Sequence, residues 1–137
     1  MLSCLSIRNV VLIETLNINF QNGLTVLTGE TGAGKSILLD ALGLALGSRA
    51  DFSLIRPNTD RASVTAEFDI EASHPVWSML EEAGIDRAET LLLRRQLRSD
   101  GKSPAHITDE AVSVNLLRQT GDMLVEIQGQ FEGRGLL

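Results

Sequence analysis

The chain has 137 residues, 43% apolar and 22% charged, with 12 glycines, 3 prolines and 1 cysteine. That length suits one domain with a real core, and the composition excludes disorder, a collagen-like repeat and a disulfide scaffold. The net charge of −6, from 12 basic and 18 acidic residues, argues against coating nucleic acid by bulk electrostatics. Cys4 cannot pair within the chain and reads as a small apolar filler. No apolar run is long enough to span a membrane, and residues 1–7 lack a basic leader region. The expectation is a soluble, cytoplasmic domain with no membrane contact.

Residues 5–9, 12–13 and 16–20 are short alternating segments of strand character, and Gln21, Asn22 and Gly23 make a turn. Residues 24–28 are β-branched-rich, like a strand buried in an α/β sheet. A glycine-rich stretch follows, then a helix over 35–46 whose apolar residues cover most of its circumference. Gly47 ends it at the C′ position. Residues 61–71 alternate again, with Ala62, Val64, Ala66, Phe68 and Ile70 on one face. Ser73, His74 and Pro75 open a short helix through Glu82, and Gly84 closes it. Residues 91–98 return through a turn at 99–102 to a strand at 105–107, a hairpin. Ser113 caps a helix over 114–119 that Gly121 ends, and residues 123–127 read as a last strand. The expected architecture is one α/β domain over 1–137. Strands and a phosphate loop occupy 1–50, an antiparallel β/helix region 51–122, and a strand and loop 123–137.

Gly29, Glu30, Thr31, Gly32, Ala33, Gly34, Lys35 and Ser36 satisfy the phosphate-loop pattern G-x-x-x-x-G-K-[ST] in full. A β-phosphate must sit in a ring of backbone N–H groups, where a Cβ at the glycines would block the turn or the approach. Those amides end at a helix N-terminus, whose partial positive charge favours the anion. Lys35 would reach the β- and γ-phosphate oxygens, and the Ser36 hydroxyl would ligate Mg²⁺, a hard cation that prefers oxygen. Chance alone produces such a match in roughly one chain of this length in 200. An apolar strand before the loop and an apolar helix after it supply the required context.

Phosphoryl transfer also needs an acid at a strand end to hold Mg²⁺ and a group that positions the attacking water. The nearest acid is Glu126, after Met123, Leu124 and Val125 and before Ile127. Three apolar residues precede it rather than four, and an ordinary solvent-facing strand glutamate explains it better. The chain therefore reads as a nucleotide binder without the full hydrolytic apparatus.

Residues 5–10 (LSIRNV), 22–27 (NGLTVL), the loop at 29–36 and 42–50 (LGLALGSRA) together resemble the N-terminal head segment of the RecN family. So do 92–95, 99–103 and 127–130. These bacterial DNA-repair ATPases are related to SMC proteins and carry an ABC-type head. The resemblance implies a P-loop NTPase fold of that type, specifically the N-terminal lobe, and therefore an incomplete half of a head. It implies binding of ATP and Mg²⁺ and ATP-driven closure of two heads in double-strand break repair and recombination. The partners implied are the C-terminal lobe of the same head, a second head in a homodimer, and DNA, with a nucleoid-associated cytoplasmic location. The Walker B acid and signature motif of the family lie far downstream, so this chain alone is expected to be inactive, stopping just past the Q-loop. By position Gln130 is that loop's glutamine, reaching Mg²⁺ and the attacking water beside Lys35; Gln128 is its rival, and Phe131 departs from the family pattern. Arg56 resembles an arginine that SMC-like heads place near nucleotide or DNA, although a surface arginine reads equally well. Asn9 would lie near the adenine.

Arg94, Gln96 and Arg98 share one face of their strand by period two. They would either hold DNA phosphates or form a solvated, charge-protected sheet edge. His74 and His106 show no metal-ligand spacing and read as capping or surface residues. Two other functions compete: a self-contained small P-loop kinase or GTPase, and a structural or DNA-binding module with a vestigial loop. The first lacks an acceptor site and a Walker B acid. The intact Lys35 and Ser36 speak against the second.

Overall fold

Residues that alternate in and out along a strand fix which face of the sheet is buried, because successive side chains point to opposite sides. The computed structural model describes the backbone of residues 2–20 and 32–128, and the side chains of 2–20 and 36–124. Among the described residues six strands build one sheet: β1 (Leu2–Val10), β2 (Ile13–Asn19), β3 (Arg61–Phe68), β4 (Leu91–Arg98), β5 (Ala105–Ile107) and β6 (Glu110–Val112). Their order is β2-β1-β3-β4-β5-β6, and every pairing is antiparallel. Among the described residues three α-helices accompany them, α1 (Gly32–Ala45), α2 (Pro75–Glu82) and α3 (Val114–Gln128).

One face of the sheet carries the core. Leu5 and Ile7 of β1, Val64 and Ala66 of β3, and Leu91, Leu93 and Leu97 of β4 are all at most 2% exposed. They share a single apolar cluster with Ala41 and Ala45 of α1, Trp77 and Leu80 of α2, and Leu117 and Leu124 of α3. The helices therefore cover that side. The alternate residues, Ser6 and Arg8, Ser63 and Thr65, Arg94, Gln96 and Arg98, are half-buried or exposed on the other. Trp77 directs its indole N–H to the Glu71 carbonyl at 3.1 Å, so its full burial leaves no polar group unpaired.

The helix ending at Glu82 and the 91–98/105–107 hairpin agree with the sequence pattern, and the strand read over 61–71 is present but ends at Phe68. Gly47, at φ +97°, ends α1 as expected. The strand at 24–28 lies outside the described residues. Three expectations need correction. The segment 123–127 is not a strand: its backbone continues α3, which runs unbroken from Val114 to Gln128. Leu117, Thr120, Gly121 and Leu124 are buried at helical spacing along one stripe, and that 3.6 period wins over the local alternation. Gly121 does not end the helix but lets it approach α1. Of the two roles read for His74, the structure takes the cap: its Nδ1 accepts the Val76 N–H at 3.0 Å at the start of α2. Finally, Cys4, expected as a small apolar filler, is half-buried on the polar face of the sheet.

Candidate nucleotide-binding site

Helix α1 begins at Gly32, inside the glycine-rich motif, so Gly32, Ala33, Gly34 and Lys35 make its first turn. The first four amides of a helix have no acceptor within it. No acidic residue occupies that turn to offset the positive helix end. Ser36 is exposed, one turn from the helix start. Free amides, a positive helix end and an exposed hydroxyl are the chemistry that a phosphate and its magnesium ion require. Gly29, Glu30 and Thr31 lie outside the described residues, as does the Lys35 side chain.

The other end of α1 is clamped. The chain leaves the helix through Gly47, with Ser48 N–H returning to the Gly43 carbonyl at 2.9 Å. Arg95 of β4, 2% exposed, donates through Nη1 to the Leu44 carbonyl at 3.1 Å and the Ser48 carbonyl at 2.8 Å. Its Nε donates to Ser103 Oγ at 2.7 Å, and that hydroxyl donates to the Gln96 carbonyl at 2.6 Å. Arg118 of α3 adds a bond from Nε to the Gly47 carbonyl at 3.2 Å. Two guanidinium groups thus meet the carbonyl end of the helix, where the dipole favours cations. Burial first, and the nearby Arg118 second, pull the Arg95 guanidinium below its ordinary pKa. Period two places Arg95 on the apolar face with Leu93 and Leu97, but its partners, the carbonyls at the end of α1, lie about fifty residues away and leave no local signal. A cavity of about 420 Å³ lies toward this end of α1, bordered by Asp40, Gly43, Ser48 and Asp51, and not at the motif.

Asn9 and Arg56, far apart in sequence, are brought together. The Arg56 N–H donates to the Asn9 carbonyl at 2.8 Å, and its Nη1 to the Leu12 carbonyl at 2.9 Å. Val11 N–H donates to the Leu54 carbonyl at 2.7 Å, and Val10 bridges to Ile55. These bonds pin a turn in which Asn9 (φ +56°) and Val11 (φ +52°) both take left-handed backbone. For a β-branched valine that conformation is strained. Arg56 is therefore a latch on the β1–β2 turn, not a free surface arginine.

Gln128 is the last residue of α3, and Gln130 lies outside the described residues. Glu126 sits on a helical backbone, not at a strand end. Arg94 and Arg98 lie on β4, an interior strand paired on both sides, so a protective sheet edge does not explain them. His74 caps α2, and burial lowers its pKa. No group of three or more His, Cys, Asp or Glu residues among the described residues could hold a metal ion.

Residues 4–130 match the family model described as an AAA domain. The chain belongs to the AAA domain family. Along its whole length it is 44% identical to the DNA repair protein RecN of Halalkalibacterium halodurans. It spans about a quarter, 24%, of that relative's length, in the N-terminal region. Among solved structures it resembles one from work on ATP-driven dimerization and DNA stimulated activation of SMC ATPases. The TM-score is 0.70 at 18% identity, covering 89% of this chain and 78% of that one. The SMC head domain from Thermotoga maritima matches with TM-score 0.59 at 18% identity, over 86% of this chain and 41% of that one. This AAA domain thus has the fold of part of an SMC-type head.

Proposed function

We propose that the chain is the ATP-binding N-terminal lobe of a RecN-like, SMC-family ATPase acting in DNA double-strand break repair and recombination. The observation that carries this reading is the start of α1 at Gly32, inside the motif and on a fold shared with SMC heads. Gly29 through Ser36 would wrap the triphosphate with backbone amides, and Lys35 would neutralise the β- and γ-phosphate oxygens. The Ser36 hydroxyl and Gln130 (or its rival Gln128) would hold Mg²⁺, which supplies charge neutralisation when bound. Gln130 would also orient the attacking water. Asn9 and Arg56, tied to one another, would form a rim near the base or the phosphates.

The relative is named a DNA repair protein, and the SMC work concerns ATP-driven dimerization and DNA-stimulated activation of those proteins. By analogy, a C-terminal lobe and a second, identical head would complete each site, with DNA as a partner. No helix among the described residues is long and apolar enough to cross a membrane, and a cytoplasmic, nucleoid-associated location fits that role.

Titration with magnesium-ATP tests the reading, followed by the amide signals of Gly32, Gly34 and Lys35. We expect weak binding, its loss in Lys35→Ala, and negligible hydrolysis by this chain alone. Signals that stay still, both alone and with a C-terminal head portion added, would refute it. Steady turnover by this chain alone that disappears in Lys35→Ala would favour a self-contained kinase or GTPase instead.

A further inference from the structure

The outer face of the sheet, opposite the helices, has a charge quite unlike that of the whole chain. Register fixes its members. Arg8 of β1 pairs with Ser63 of β3, Arg61 of β3 with Arg98 of β4, and Arg94 of β4 with His106 of β5. Around them stand small polar residues, Ser6, Ser63, Thr65 and Gln96. Glu67 is the one acid in register on this face among the described residues, and the Ser3 hydroxyl lies 3.5 Å from its carboxylate. Four arginines thus face one acid here, in a chain whose net charge is −6.

Folding alone does not account for this arrangement. Arg61 and Arg98 are directly opposed, and like charges in that position destabilise a sheet. Asp60 approaches Arg61 at 3.7 Å, but both side chains are more than half exposed, so the pair is weak. Arg94 Nε and His106 Nδ1 are buried without a hydrogen-bond partner. Such orphan groups cost folding free energy, so packing alone does not explain why these residues stand here.

We propose that this outer sheet face, through Arg8, Arg61, Arg94 and Arg98, docks the sugar-phosphate backbone of duplex DNA. Arg94 and Arg98 are four residues apart, about 13 Å along the strand, and Arg8 lies two strands, about 10 Å, across from Gln96. Duplex DNA offers one charge per about 1.7 Å of its axis, so several phosphates fall within that span. No Phe, Tyr or Trp is in register on this face among the described residues, so single-stranded bases find no broad stacking platform there. A sheet face of arginine and hydroxyl donors positions a backbone without reading bases. The choice of DNA as the polyanion rests on the repair function proposed above. The surface itself is independent of the nucleotide site.

Fluorescence anisotropy with a labelled 30-base-pair duplex, over a series of salt concentrations, tests the proposal. With all four arginines engaged, the slope of log affinity against log salt should be about −3 to −4. Arg8→Gln and Arg61→Gln should each reduce its magnitude by about 1, equally for unrelated sequences. The Arg8→Lys/Arg61→Lys double variant should keep the slope, and Arg49→Gln, an exposed arginine off this face, should leave it unchanged. Absence of duplex binding at low salt would overturn the proposal. So would a slope untouched by the glutamine variants, or one lowered equally by Arg49→Gln. Lys35→Ala separates the two readings: it should abolish ATP binding and leave duplex binding without nucleotide intact, and duplex loss in that variant would overturn the independent surface.

Discussion

Arg95 Nη1 donates to the Leu44 carbonyl at 3.1 Å, so a residue of the central sheet caps the helix that springs from the glycine-rich motif. The first turn of α1 is only as well placed as its far end is held. Arg95→Ala would remove the guanidinium from the Ser48 carbonyl, while the Leu44 carbonyl keeps the Gly47 N–H at 3.1 Å, costing about 1–3 kcal/mol in all. The urea midpoint should fall with little change in slope. Arg95→Lys should recover less than half of the loss, because one ammonium cannot reproduce the planar fork that serves two carbonyls and Ser103 together. A full rescue by lysine would show that charge alone matters. An unchanged midpoint in Arg95→Ala would show that the clamp contributes nothing.

Gly121 gives a prediction whose sign is diagnostic. Inside an exposed helix, replacing glycine by alanine stabilises by about 0.5–1 kcal/mol. Here a Cβ at Gly121 would sit 2.7 Å from the Leu46 carbonyl oxygen and 3.1 Å from Leu46 Cβ. Helices α1 and α3 would have to separate, at about 1–3 kcal/mol. Gly121→Ala should therefore lower the melting temperature. Gly84→Ala meets nothing within 4 Å and bears only the strain of φ +91°, and it should cost less. If Gly121→Ala raised the melting temperature, the close helix crossing would be wrong.

The sequence made some features legible and hid others for identifiable reasons. The half-buried strand β3 and the β4–β5 hairpin were readable because one face of each is buried, which writes period two into the residues. The motif was readable because phosphate chemistry fixes glycine, lysine and serine at set spacings. The end of α3 was hidden because Met123 to Ile127 alternates locally, while the stripe that governs it starts six residues earlier at Leu117. Gly121 looked like a stop because a glycine that ends a helix and one that admits a neighbour are the same letter. Arg95 and its neighbour Arg94 take opposite faces by period two, but what Arg95 binds, the carbonyls at the end of α1, is set by long-range packing. The latch between Arg56 and the β1–β2 turn joins segments more than forty residues apart, a distance that no local pattern spans.

Ser113 is a cap that the sequence did announce. Its Oγ accepts the Leu116 N–H at 3.0 Å, satisfying one of the orphan donors at the start of α3. Ser113→Ala should cost about 1 kcal/mol, while Ser113→Asp should retain or exceed the wild-type stability because an acid also suits the helix dipole. Chemical denaturation of the three proteins decides it. Equal stabilities would mean that the α3 start is held by packing alone.

His74 makes the stability of α2 depend on pH. Its Nδ1 accepts the Val76 N–H at 3.0 Å, which only the neutral ring can do. Burial lowers its pKa from the ordinary 6.5 in the folded protein. Between the folded value and 6.5 the unfolded chain binds more protons, so stability rises with pH across that window. The contribution is fully present above 6.5 and is lost as the pH falls through the folded value. His74→Asn keeps a capping acceptor that does not titrate. Denaturation midpoints for both proteins should run parallel above about pH 7 and diverge as the pH falls below 6.5, with the wild type losing more. Parallel curves down to about pH 5 would show that His74 does not cap α2 through its neutral ring.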